Sequence, residues 1–246
     1  MKKSNLLLLI ALGLILIAIL AGTISVRSML FANVIKGDGN IVETPRDINS
    51  FEKINIKGRY KVFYTQDTTQ QLVLRADANL HEYIVTTIRN NELVIKSNQP
   101  IRSDSELHIE LSNPNITHIE ASANAGFFTR NSVTLPLLYI TSNAGSEVNV
   151  EGIFESLFAT QNAGSDIILR GQTNLLNLIS NAGGNIDASQ MEAQSASVET
   201  NAGASAIVNA EEIDAKANAG GSIRYLGDPV FRSMNTSAGG SIGAAN

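Results

Sequence analysis

The sequence predicts an all-β protein whose second half is a parallel β-helix of about seven coils, each of ~19 residues. Three observations carry that prediction. The triplet Asn-Ala-Gly begins at Asn124, Asn143, Asn162, Asn181, Asn201 and Asn218, and Ser237-Ala238-Gly239 is a variant of it. The intervals are 19, 19, 19, 20, 17 and 19 residues. Between triplets, apolar and polar residues alternate, the period-two mark of a strand with one buried face. No amphipathic run of helical period breaks the series, which excludes helical solenoids.

At the N-terminus, Lys2 and Lys3 precede an uncharged stretch from Leu6 to Val26, closed by Arg27. At ~1.5 Å per residue a helix over this stretch spans about 31 Å, close to the hydrocarbon thickness of a bilayer. Residues 1–27 are therefore read as a transmembrane anchor or a cleaved signal peptide, and residues 28–36 as a short linker. Either reading exports the rest of the chain: inner-membrane-anchored with a periplasmic domain, or periplasmic or at the cell surface if the segment is cleaved. Beyond Arg27 there are 15 basic and 23 acidic residues. That balance repels phosphates, so no nucleic-acid partner is expected, and the membrane is a partner only through Leu6–Val26.

Residues 37–123 read as an irregular β section. Strand-like runs occur at Ile54 and Ile56, Val62-Phe63-Tyr64, Leu72-Val73-Leu74, Leu93-Val94-Ile95, Leu107–Leu111 and Ile116–Ile119. Gly58, Asn90-Asn91, Asn98-Gln99-Pro100 and Asn113-Pro114-Asn115 supply turns between them. Only Asn79 to Ile84 suits a helical turn. No Pro/Ser linker separates this section from residues 124–246, so one continuous body is expected.

Within the repeat, five residues after the Asn come Val148, Ile167, Ile186, Ala206, Ile223 or Ile242, and only the first copy departs, with Thr129. Val150, Leu169, Ala188, Val208 and Tyr225 follow two residues later, and Gly152, Gly171 and Gly227 two beyond that, where a turn fits. Asn and Gly tolerate left-handed backbone, which suits a sharp corner. Stacked Asn side chains can also bond to one another along the rod. The expected corner ladder comprises Asn124, Asn143, Asn162, Asn181, Asn201 and Asn218, with Gly126, Gly145, Gly164, Gly183, Gly203 and Gly220.

Composition restricts the chemistry. Of 246 residues, 17% are charged and 5% aromatic, with no Cys and no Trp. The absence of Cys excludes disulfides, iron–sulfur ligation, zinc ribbons and thiol catalysis. The three His residues are His81, His108 and His118. His108 and His118 fall in neighbouring strand candidates, a weak basis for a metal pair, and no metal or cofactor is expected. Stacking the repeats brings Glu147, Asp166 and Asn185 into one row with Asp187 two residues along. That oxygen-rich face is a candidate site for a cation or sugar, against the plainer reading of a solvated strand face. It also supports an alternative function, a polysaccharide lyase or hydrolase. The Ca²⁺-binding nonapeptide pattern Gly-Gly-x-Gly-x-Asp is absent. Thr141, Thr160, Thr200 and Thr236 precede triplets at differing offsets, unlike a flat ice-binding array.

Gly37-Asp38-Gly39-Asn40-Ile41-Val42, Ile48-Asn49-Ser50-Phe51-Glu52-Lys53-Ile54, Tyr60-Lys61-Val62 with Gln66, Ala76-Asp77-Ala78-Asn79-Leu80 and Asn91-Glu92-Leu93-Val94-Ile95 form an ordered series. In order and spacing it resembles the putative auto-transporter adhesin head GIN domain family, over about residues 37–240. The resemblance implies right-handed β-helical coils, an extracytoplasmic location and no assigned enzymatic activity. It supplies no binding residues, and Asn-Ala-Gly stands where the family's coils often carry Gly-Ser-Gly. Together the residues and the resemblance lead to a non-catalytic envelope protein, a scaffold or adhesin-like surface for a polymer or protein ligand.

Overall fold

Alternating side chains need a second surface to bury their apolar half, and here each coil of chain supplies it for the next. The computed structural model describes residues 34–245 and is all-β, a solenoid of about seven turns. Seventeen strands form one continuous sheet wrapped around the axis, and Ile35–Lys36 pairs separately with Ile101–Arg102. The linker expected over 28–36 therefore ends in a strand. Among the described residues no helix is long and apolar enough to cross a membrane. The Leu6–Val26 segment, read as anchor or signal, lies outside the described residues.

The long strands Val133–Asn143, Glu147–Asn162, Asp166–Asn181, Asn185–Asn201 and Ser205–Asn218 stack in parallel, each on its predecessor. Inward positions fall into rows. Val148, Ile167, Ile186, Ala206, Ile223 and Ile242 form one, and all but Ile242 in the terminal coil are essentially sealed from solvent. Burying a Val, Ile or Leu side chain fully is worth about 1.5–3 kcal/mol, so such rows hold the rod together without aromatics. Toward the start of the rod the core takes larger rings: Tyr60, Tyr64 and Phe127 are buried, with Tyr64 and Phe127 stacked 5.8 Å apart.

The 37–123 section is less irregular than its sequence. Lys53–Lys57 and Tyr60–Gln66 form a coil that the chain later sandwiches. Glu92–Ser97 and Leu107–Asn113 pair in parallel with it on one side, and His118–Ser122 and Gly126–Thr129 on the other. The coil made third in sequence thus stacks directly on the first. The antiparallel strands Ile41–Arg46, Gln71–Asp77 and Ile84–Arg89 cover the end beyond. Among the described residues the single turn of helix is 3-10, at Ala78–Leu80.

At the repeated corner it is the Ala and the Gly, not the Asn, that take left-handed backbone. Ala144 has φ 50° and Gly145 φ 73°, and the pattern recurs at Ala163/Gly164, Ala182/Gly183, Ala202/Gly203, Ala219/Gly220 and Ala238/Gly239. Two positive φ values in succession are those of a type I′ turn. The closing bond appears as Gly221 N–H donating to Asn218 O at 2.9 Å, and likewise Gly240 to Ser237 at 3.0 Å. The left-handed conformation costs a non-glycine residue about 1–2 kcal/mol. Exposed Ala side chains at these corners keep that cost to the backbone alone.

The first triplet departs from the expected ladder. Gly126 pairs with Glu147 and Lys61, and Phe127 with Val148, so this triplet runs two residues ahead of the others. Ala123 (φ 59°) and Asn124 (φ 64°) therefore make the corner, while Gly126 lies buried inside a strand. Phe127, not Thr129, fills the inward position, which removes the apparent anomaly of the first copy.

Candidate functional site

The Asn residues project from the side of the rod and bond along its axis. Asn162 Nδ2 donates to Asn143 Oδ1 at 2.9 Å, Asn181 to Asn162 at 3.0 Å, Asn201 to Asn181 at 3.0 Å and Asn218 to Asn201 at 2.9 Å. Ser237 Oγ ends the series on Asn218 Oδ1 at 2.8 Å. Asn124 lies outside it because of the two-residue offset. Each ladder amide from Asn162 to Asn218 spends one N–H and one oxygen lone pair on its neighbours, leaving a reduced capacity for any ligand. Beneath it runs a fully buried polar row, Ser142, Gln161, Ser180 and Thr200. Ser180 Oγ donates to Gln161 Oε1 at 2.8 Å.

The acidic row is stacked in the order Glu147, Asp166, Asn185, Ser205, Ser222 and Ser241. Asp187 is not part of it: that residue sits between Ile168 and Ile207, and its carboxylate accepts the Ser189 N–H at 3.0 Å. Asn185 Oδ1 is taken by the Ser205 hydroxyl at 2.8 Å. Arg170 turns away from the carboxylates toward Gln190 (2.8 Å) and Asn149 (2.5 Å). The four candidates are therefore two adjacent carboxylates, a committed amide and a separate aspartate, and among the described residues no His, Lys or Arg bonds to them.

The two histidines occupy different faces, against a metal pair. His108 is aligned with Lys61 and bonds Glu110 at 2.6 Å, with Phe63 stacked on its ring at 4.4 Å. Burial pushes the Glu110 carboxyl up, but His108 and Arg130 outweigh this and hold it below its ordinary value. His118 lies between Lys53 and Tyr139 on the other face. Burial, with Lys53 nearby, lowers the His118 imidazole pKa. His118, Tyr139 and Phe158 form an outward stack with ring centres 4.8 Å apart, a row missed in the sequence although Tyr139 and Phe158 are one repeat apart. Among the described residues no group of three His, Asp or Glu side chains is placed to hold a metal.

One concave feature crosses several coils. A shallow groove of about 520 Å³ runs along the corner opposite the Asn ladder, from Ile153 to Asp228. One wall is the stacked row Ile153, Gln172, Glu192, Asn209 and Leu226. Asn174, Gln194, Glu211 and Asp228 form the other wall. Phe154, Thr173, Ala193 and Ala210 close the floor, none more than 8% exposed. The unequal intervals are absorbed here: the 20-residue coil adds a residue before Gln190, and the 17-residue coil omits three between the partners of Ala188 and Glu192. Those intervals were the sequence signal that this corner differs.

Fold and surface define a class: a parallel β-solenoid that presents repeated polar rows and one axial groove. The chain belongs to the "Putative auto-transporter adhesin, head GIN domain" family, whose pattern matches residues 50–229. Among solved structures it is similar to a "putative adhesin" from Bacteroides fragilis, at 22% identity and a TM-score of 0.79, covering 86% of this chain and 100% of that one. A "putative adhesin" from Parabacteroides merdae is similar at 19% identity and 0.73, covering 87% and 100%. A "putative lipid binding protein" from Parabacteroides distasonis gives 18% and 0.71, covering 86% and 99%. At these identities the likeness concerns the fold. No curated protein matches the sequence.

Proposed function

We propose that the protein is a non-catalytic, adhesin-like component of the bacterial cell envelope that binds an extended polymer or a partner protein. In this reading the coils wind right-handed, the hand that strand twist favours, and Leu6–Val26 directs export or tethers the solenoid. The observation that carries the proposal is the outer surface. Short polar side chains repeat at the coil spacing, and the Glu147–Asp166 pair meets no bonded His, Lys or Arg among the described residues. Such a surface offers many weak, equivalent contacts, whose summed strength rises with the number engaged. Membership of the adhesin family and the adhesin-named structures support the same direction.

Arrayed polysaccharides and envelope extracts, probed with the full chain, test the reading. Retention of a polymer with no release of shortened product is the expected result. Turnover that disappears in Asp166→Asn would instead establish the lyase or hydrolase alternative.

A further inference from the structure

The groove opposite the ladder has a chemistry the other faces lack, and it deepens the binding reading just given, on which it rests. We infer that the groove between Ile153 and Asp228 is a subsite for an extended, uncharged glycan chain lying parallel to the solenoid axis.

Dimensions come first. The groove is lined by five successive coils, so it runs four steps of ~4.8 Å, about 19 Å, the length of about four pyranose rings. The spacing of its repeated side chains is close to that of successive sugars in a linear polysaccharide. A ligand of this shape meets an equivalent group in each coil.

The side chains then select among linear polymers. Asn174, Gln194 and Asn209 each supply both N–H donors and a carbonyl acceptor, Gln172 supplies its carbonyl and the N–H not donated to Glu192 (3.3 Å), and Glu192, Glu211 and Asp228 supply acceptors only. Hydroxyl groups, which donate and accept, satisfy this mixture, and a charged acceptor binds them more strongly than a neutral one. Three carboxylates with no Lys, Arg or His in the lining repel a polyanion, which excludes uronate-rich or sulfated chains. The half-exposed Ile153 (51%) offers apolar contact to the C–H face of a sugar ring, above a floor that is nearly sealed.

A peptide suits the groove less well. Extended peptides gain most of their affinity by adding a strand to a free sheet edge. Here the groove strands pair with the coils before and after them, from Glu147–Asn162 through Ser205–Asn218, so their backbone groups are already used. The larger hollow at the opposite end of the rod is a weaker candidate because three of its four lining cations, Lys36, Lys61 and Arg102 but not Arg59, face carboxylates. Lys36 bonds Asp104 at 3.3 Å and Lys61 bonds Glu106 at 2.7 Å.

The test uses the full chain against neutral oligosaccharides of two to six units, a polyuronate, and a lysine-rich peptide. Wild type is compared with Glu192→Ala/Glu211→Ala, Gln194→Trp and a control on the acidic row, Asp166→Ala. All four substituted side chains are solvent-exposed, so folding, checked by circular dichroism, is retained. The expected result is binding of neutral chains that tightens up to about four units and weakens at least about tenfold in both groove variants but not in Asp166→Ala. Neutral-glycan binding that Asp166→Ala abolishes and the groove variants spare would overturn the subsite while leaving the polymer-binding reading standing. Groove-dependent capture of the polyuronate or the lysine-rich peptide would overturn the ligand class. No binding to any polymer or envelope extract would remove the underlying reading as well.

Discussion

Asn162→Ala is the most direct test of what holds successive coils in register at the corner. Asn162 donates to Asn143 at 2.9 Å and accepts from Asn181 at 3.0 Å, so the substitution removes two side-chain bonds at once. A typical intramolecular hydrogen bond contributes about 0.5–1.5 kcal/mol net. The site is half-buried, so water reaches the groups left behind and limits the further penalty. The expected loss is about 1–3 kcal/mol, and in a chain of this size each kcal/mol shifts Tm by about 2–4 °C. The matched control is Asn124→Gly, the same residue type in the same triplet but displaced from the ladder by the two-residue offset, with Gly chosen because the backbone there is left-handed (φ 64°). It should stay within about 0.5 kcal/mol of wild type, as for an exposed position without a specific role. Thermal unfolding followed by circular dichroism reads both variants. Equal Tm shifts for Asn162→Ala and Asn124→Gly would refute the ladder as a source of stability.

Three further predictions concern the backbone and the N-terminal clasp. Gly171 has φ +113°, and a Cβ there would lie 1.9 Å from the Gly152 carbonyl oxygen, so Gly171→Ala should cost more than about 3 kcal/mol and reduce soluble yield. The reverse substitution at an exposed left-handed corner, Ala182→Gly (φ 55°), relieves strain and should leave Tm unchanged or higher. Asp77 is 2% exposed and accepts from the Gly39 N–H at 2.7 Å and from the Ser103 hydroxyl, clasping the Gly37–Asn40 loop. Burial alone would raise its pKa, but those bonds outweigh it and hold the carboxyl below its ordinary value. A carboxylate depressed in the folded state stabilises at neutral pH and loses that contribution as pH falls through its folded value, below about pH 4. The Tm gap between wild type and Asp77→Asn should therefore be widest near pH 7 and shrink on acidification; a gap independent of pH would contradict the assignment.

The clasp also shows how much of the family's opening motif could be understood only in three dimensions. Gly37 cannot carry a side chain, because a Cβ would lie 2.3 Å from the Asp77 carboxyl carbon. The sequence places the two residues forty positions apart and gives no sign that one makes room for the other. The candidate acidic face shows the opposite balance. Its stacking of Glu147 on Asp166 followed from the 19-residue interval, whereas the isolation of Asp187 and the outward turn of Arg170 depended on side-chain directions at a register shift.

The repeat itself was legible because it is a local property. Period-two alternation, a turn triplet and a constant interval dictate that each coil buries the same positions as its neighbour, and a narrow core then needs only Val, Ile, Leu and Ala. Stacking order is not local. That 53–66 lies between 92–113 and 118–129 depends on long-range strand pairing, which no pattern within any of these segments encodes. The same holds for the first triplet's two-residue lead and for the axial groove, both consequences of how unequal coils absorb insertions and deletions at a corner. Sequence periodicity determined that the chain would coil; hydrogen-bond register between coils decided which side chains share a surface, and hence where a ligand would lie.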